Sequence, residues 1–269
     1  MTIADETDIR AAVIAVIDEM TSAAETTDDL DLGVHTMRKG VKRLRAELRL
    51  WKTAMDPQAY RSEDEALSDI GAALAPARDA FVFGETLGAL ESSAGWDAAA
   101  AFIDKHHEAA IDELRRGPLG QSVAALRTLR ERWLAGPPHP GQAAVEAGLM
   151  RSFRKGAAAY AEAAATGHAE AFHRWRKQVK YLRYQLEAVG GDPALIETLT
   201  ELGVTLGFEH DQTVFIDFVD DNIDMLPDRR DRYVLIDRSE ARRDELRALS
   251  LMTDVYADSP EEFVAAISA

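Results

Sequence analysis

The sequence contains no cysteine. Disulfide staples, thiolate metal sites and cysteine nucleophiles are therefore excluded, and the absence suits a reducing compartment. No stretch approaches the roughly 20 apolar residues that span a bilayer. The opening residues, MTIADETDIR, are acidic and lack the apolar run of a signal peptide. A soluble, cytoplasmic protein is expected. No segment alternates apolar and polar residues with β-branched enrichment, so strands are not indicated. Positive charge is scarce: 31 Lys and Arg stand against 47 Asp and Glu, a net charge of −16. A general nucleic-acid binder carries positive charge over a whole face or domain, and this chain does not. What is present is 269 residues, 46% of them apolar. That is enough for one large domain, or two moderate ones, with a real core.

The scarce cations are concentrated. From His35 to Trp51 the chain reads HTMRKGVKRLRAELRLW. Wound as a helix at about 100° per residue, His35, Arg38, Lys39, Lys42, Arg45 and Arg49 fall on one arc, with Arg43 beside them. Val34, Met37, Val41, Leu44, Leu48 and Trp51 fall on another, at the spacing of a core-facing stripe. The stretch recurs 138 residues later as HRWRKQVKYLRYQL. His173, Arg176, Lys177, Lys180 and Arg183 then stand on His35, Arg38, Lys39, Lys42 and Arg45. Trp175, Val179, Leu182 and Leu186 stand on the apolar positions. The charged face of an amphipathic helix ordinarily does no more than stay solvated. Such faces mix signs, because mixed pairs support the helix. These two arcs carry cations alone, each led by a His, in an otherwise acidic chain. An acidic shell around a focused positive site would admit a slim polyanion and repel bulkier ones.

Apolar periodicity predicts helices over about 3–25, 35–54, 62–91, 96–115, a short one ending near 135, 142–165, 168–189, 193–222, 229–254 and a short one from Pro260. Asp28, Asp29 or Asp31 is expected to cap the first basic helix, and Asp56-Pro57 to end it. Pro76 is expected to kink or break the long helix around it. GPPHPG, residues 136–141, is the best linker in the chain. It divides the chain into repeats at 1–135 and 141–269, with 136–140 between them. A second block supports the duplication: LSDIGAALAPARDAFV, 67–82, pairs with LTELGVTLGFEHDQTV, 199–214, placing Arg78-Asp79 over His210-Asp211. The expected class is all-α, with short connections favouring antiparallel bundles.

These two blocks, in this order and spacing, resemble the CHAD family, the conserved-histidine α-helical domain. A lone HxxRK says little. Two copies, each followed by an LG-like helix ending in Arg/His-Asp, are specific, and they cover almost the whole chain. The resemblance implies two four-helix bundles related by a pseudo-twofold axis, with the basic helices lining a central positive cavity. It implies a binder of inorganic polyphosphate, found with polyphosphate granules, without cofactor, catalysis, membrane attachment or specific nucleic-acid partner. The polyphosphate-binding residues would be His35, Arg38, Lys39, Lys42, Arg45, Arg49, His173, Arg176, Lys177, Lys180 and Arg183. Arg78, Asp79, His210 and Asp211 would support them. The second copy departs from the pattern, with Tyr181 on Arg43 and Glu187 on Arg49. It is expected to be the weaker half.

The chemistry agrees with that implication. Phosphate oxygens match the guanidinium fork, and Lys meets them as a point charge. Cations at helical spacings sit about 5–6 Å apart along a stripe, which suits a chain of phosphates. Asp79 and Asp211 are expected to orient Arg or Lys. His35 and His173 either hydrogen-bond a neighbour or touch the ligand. In the second case adjacent Lys and Arg lower the empty-state pKa and phosphate raises it. Arg151, Arg154 and Lys155 share a face that could widen the site. Two other classes stay open. A phosphotransferase or polyphosphate hydrolase would normally use a metal or positioned base, and no P-loop is present. A metal module of His35, His173, His210, Asp79 and Asp211 is chemically reasonable, but the flanking cations would repel the ion.

Overall fold

The structure, a computed structural model, describes residues 6–90, 96–136, 141–226 and 228–268, with side chains described from Ile9 to Ile267. These residues form α-helices and one 3₁₀ turn, and no strand occurs among them. None of their helices is long and apolar enough to cross a membrane. The first half has four arms. α1 (Glu6–Thr26) and α2 (Leu30–Leu48) are the first two. The third is broken at Leu74 into α3 (Pro57–Ala73) and α4 (Ala75–Ala89), and the fourth at Gly117 into α5 (Trp96–Arg115) and α6 (Pro118–Ala135). Each break comes at a proline, Pro76 or Pro118, placed in the first turn of the following helix. There its fixed φ is welcome and its missing N–H costs nothing. The second half repeats the order with unbroken arms: α7 (Gly141–Thr166), α8 (Ala169–Val189), α9 (Pro193–Asp221) and α10 (Arg229–Ser250). A 3₁₀ turn, Ile223–Met225, precedes α10, and α11 (Pro260–Ser268) lies on α7.

Several helix ends differ from expectation. The basic helix stops at Leu48 rather than near Ala54, and the next begins at Pro57 rather than 62. Asp56 accepts hydrogen bonds from the amides of Gln58 at 2.9 Å and Ala59 at 3.0 Å. The Asp-Pro pair therefore starts a helix instead of ending one. Residues between α2 and α3 form turns that bury Leu50 and Trp51. Asp192-Pro193 starts α9 in the same way, Asp192 accepting from Ala194 at 3.1 Å. Asp29 is the cap of α2. The helix expected to be short before 135 has 18 residues. Of the linker read at 136–140, all but Gly136 lies outside the described residues, as do Gly95 and the first five positions.

α2 and α8 pack on each other at the centre, with α1 and α3 against α2, and α7 and α9 against α8. Their apolar stripes are the core: Val34, Met37, Leu44, Leu48, Trp175, Val179, Leu182 and Leu186 are each at most 3% exposed. They belong to one hydrophobic cluster that draws on both halves. Buried Gln185 donates Nε2 to the Ala46 carbonyl at 2.9 Å and so ties α8 to α2. A second cluster joins α4 to α9, with Phe83 and Phe218 stacked at 4.1 Å.

The close approach of α1 and α2 requires Gly33, where a Cβ would stand 2.9 Å from the Ala23 carbonyl oxygen. A Cβ on Gly207, inside α9, would meet nothing within 4 Å. Gly33→Ala is expected to destabilise the protein by about 1–3 kcal/mol. Gly207→Ala is expected to stabilise it by about 0.5–1 kcal/mol through helix propensity. Urea denaturation measures both.

Candidate functional site

The polar faces of α2 and α8 open onto one cavity of about 730 Å³, walled by α3, α4 and α9. His35, Arg38, Lys39, Lys42 and Arg45 line it from α2, and His173, Arg176, Lys177, Lys180 and Arg183 from α8. Arg78 and Asp79 reach it from α4, His210 and Asp211 from α9. Of the site residues expected from the sequence, only Arg49 does not line it. Arg49 caps the end of α2 with helical backbone and lies 3.8 Å from Asp64, the acid that also holds Arg45. Its side chain folds back onto the Arg45 carbonyl and lies 4.0 Å over the Tyr181 ring. Arg151 donates to the Arg49 carbonyl at 3.3 Å, Arg154 pairs with Glu261, and neither they nor Lys155 line the cavity. A smaller hollow of about 460 Å³ is lined by five acids, Asp28, Asp29, Asp31, Glu108 and Asp112, against His107 and Arg115, and so is acidic on balance.

The cavity cations fall into two groups. Arg45 makes a two-pronged pair with Asp64 of α3 at 2.9 and 3.1 Å. Arg183 lies 3.4 Å from Glu187, and Arg78 lies 3.3 Å from Glu85. Arg38 lies 3.8 Å from Asp79, which can thus orient it, and donates to the Gly71 carbonyl at 3.3 Å. Lys39, Lys42, Arg176, Lys177 and Lys180 make no ion pair or hydrogen bond among the described residues. The buried Nε atoms of Arg38 and Arg176 also lack an acceptor. Tyr181 and Glu187, the departures of the second repeat, serve Arg49 and Arg183. The second repeat thus keeps at least as much unpartnered charge as the first.

Crowding cations with so few acids shifts their titration. Burial, then Arg176 and Arg38, bring Lys42 down to about 7. Burial, then Arg176 and Lys42, push Lys180 far below the ordinary lysine range. His35 is lowered by burial and then Arg78, His173 by burial and then Lys177. Burial followed by Arg176 holds His210 far below the imidazole range. Burial raises Asp79 and Asp211 against the pull of Arg38 and Arg176 respectively. The Nδ1 atoms of His173 and His210 are 3.3 Å apart, so in neutral rings one donates to the other. Among the described residues no three His, Asp or Glu side chains converge as metal ligands would. The metal set weighed from the sequence is not assembled there.

Sequence patterns did not single out Asp64, which sits on another helix. Nor did they single out Val204 and Phe208, which line the cavity while 50% and 56% exposed. Phe208 stands one turn and Val204 two turns before Asp211 on α9, and that spacing is the signal that finds them.

A helical protein with a cation-lined central cavity is what the fold and the site define. The sequence matches the model of the CHAD domain over residues 11–194. The chain belongs to the CHAD domain family. The crystal structure of the CHAD domain from the plant Ricinus communis is similar over 98% of this chain and 93% of that one, with a TM-score of 0.70 and 19% identity. PptA from Streptomyces chartreusis is similar over 96% of this chain and 100% of its own, with a TM-score of 0.69 and 14% identity. At these identities the likeness is one of fold. No curated protein matches in sequence.

Between about pH 7 and the ordinary lysine pKa, the unfolded chain holds a proton on Lys42 that the folded chain does not. This group's contribution to stability therefore rises with pH across that window. Lys42→Met is expected to stabilise the ligand-free protein near neutral pH by roughly 1–3 kcal/mol and to flatten that rise. Urea midpoints at about pH 7.5 and about pH 9.5 measure both effects.

Proposed function

We propose that the cavity binds inorganic polyphosphate, and that its role is binding rather than phosphate transfer. One observation carries this reading. Among the described residues, Lys39, Lys42, Arg176, Lys177 and Lys180 line one cavity and make no ion pair or hydrogen bond, in a protein whose net charge is −16. Burial of Lys42, Arg176 and Lys180 makes their charged forms costly, and an anion from outside offsets that cost. Two helices at the cavity wall suit an extended chain of phosphates. Fork-shaped donors from Arg38 and Arg176 and point charges from the lysines meet its oxygens. A polymer with no base edges needs nothing more specific. The acidic exterior disfavours duplex nucleic acid, which is too wide to leave that exterior outside the contact. Membership in the CHAD family points the same way. Polyphosphate stored in the cytoplasm is the partner this reading assigns.

Calorimetry with long-chain polyphosphate tests it. Arg176→Gln with Lys180→Gln is expected to weaken binding by at least ~10-fold, and Arg229→Gln with Arg230→Gln on α10 to leave it nearly unchanged. Equal losses in the two pairs would overturn the cavity as the site. Affinity should fall with added salt, through counterion uptake on release. On incubation with Mg²⁺, polymer length on a gel should stay constant, and shortening would overturn a purely binding role.

The pH dependence has a definite sign. Bound phosphate raises the Lys42 pKa above its free value of about 7, so binding takes up a proton between the two values. Affinity is therefore expected to fall as pH climbs above about 7. Lys42→Arg should lose that part of the proton uptake, measured in buffers of different ionisation enthalpy. Undiminished uptake in the variant would remove Lys42 as its source.

A further inference from the structure

We propose that Lys42 is a site of covalent modification, at which acyl phosphates seat in the cavity and acylate the lysine Nζ. Resting on the anion site proposed above, the inference goes past it to the formation of a bond. Lys42 lines the cavity and makes no ion pair or hydrogen bond among the described residues. The titratable and charged groups that act on it come from its own helix and from α4, α8 and α9. They are His35 and Arg38 from α2, Arg78 and Asp79 from α4, Arg176 and Lys180 from α8, and His210 and Asp211 from α9. Arg38 and Arg176 each keep a buried Nε–H without an acceptor. An open phosphate cradle and an unpaired amine therefore share one cavity.

Desolvation and neighbouring cations are how a lysine becomes a nucleophile, because both favour the neutral amine. Lys42 has both. Lys180 shares the setting and is the second expected site. Lys52, Lys105 and Lys155 stand exposed on the outer surface and away from the cavity.

The step balances without another reactant. The Nζ lone pair attacks the acyl carbon of the acyl phosphate. A C–N bond forms as the C–O bond to phosphorus breaks, and inorganic phosphate leaves with that electron pair. The surplus proton on nitrogen passes to solvent. The product amide is neutral, so the cavity loses a cation and its hold on a polyanion weakens.

Acetyl phosphate with the full-length protein, followed by site-resolved mass spectrometry, tests this. Lys42 is expected to be acetylated roughly 10-fold faster than Lys52, Lys105 or Lys155 at about pH 7.5. Its rate should level off once the pH passes about 7, where its amine is already free. Tripolyphosphate should protect Lys42 and leave the three exposed lysines reacting. p-Nitrophenyl acetate, which brings no phosphate, should show a smaller preference for Lys42. Lys42 reacting no faster than the exposed lysines would overturn the proposal, as would equal preference with the two acetyl donors. Calorimetry with polyphosphate on the unmodified sample reports the underlying reading separately. Binding without a fast Lys42 adduct removes only the modification site, whereas absence of binding removes the polyphosphate reading beneath it.

Discussion

Like charges held side by side set the terms for the rest of this molecule. α2 and α8 direct cations into the same cavity, and the apolar backs of those helices resist the repulsion. Met37, Leu44 and Leu48 on one helix, with Trp175, Val179 and Leu182 on the other, are almost wholly withdrawn from water. Burying a side chain of this size contributes roughly 1.5–3 kcal/mol, and a pKa displaced by one unit costs roughly 1.4 kcal/mol. A handful of core residues therefore outweighs each shifted lysine. Gln185, bonded to the Ala46 carbonyl, fixes how the two helices meet. Asp64 on Arg45 and Glu187 on Arg183 relieve the repulsion at the far ends of the stripes, while Asp79 and Asp211 are the acids within the cavity. Two carboxylates do not offset the cations gathered there.

The helical class and the cavity lining were legible because one periodicity separates two kinds of residue. A period of 3.6 puts Met37, Val41 and Leu44 on one side and Arg38, Lys42 and Arg45 on the other. The repeat at His173 then doubled the signal. Helix ends were less legible. Aspartate and proline both stop helices and start them, and Asp56-Pro57 is distinguished only by where the carboxylate finds its amides. Arg49, the last cation of the first stripe, is held away from the cavity by the Arg45 carbonyl, the Tyr181 ring and Asp64, contacts that its spacing does not announce.

Partner choice was legible only for Asp79, which lies beside Arg38. Nothing in the spacing around Arg45 announces that Asp64 will neutralise it, because that pairing is made by α3 lying against α2. The burial that displaces Lys42 and Lys180 likewise belongs to the packing of several helices and not to either helix alone. Pro76 shows the limit from another side. Its break was expected, yet the matching position in the second block is Phe208, and that arm runs unbroken for 29 residues. Blocks with the same pattern thus build one jointed wall and one straight one.

Gathering cations into a cavity leaves the outside of the protein more negative than its net charge suggests. Two copies seated on one long polyanion would turn like-charged shells toward each other. Those shells repel within a Debye length, about 8 Å at physiological ionic strength. The distance between neighbours on the strand would then be governed by mutual exclusion as well as by footprint. Dilute salt would tighten each grip while thinning the row, and concentrated salt would let copies crowd while loosening each hold. The greatest coverage of such a thread falls at an intermediate ionic strength, set by a balance that no single bound copy reveals.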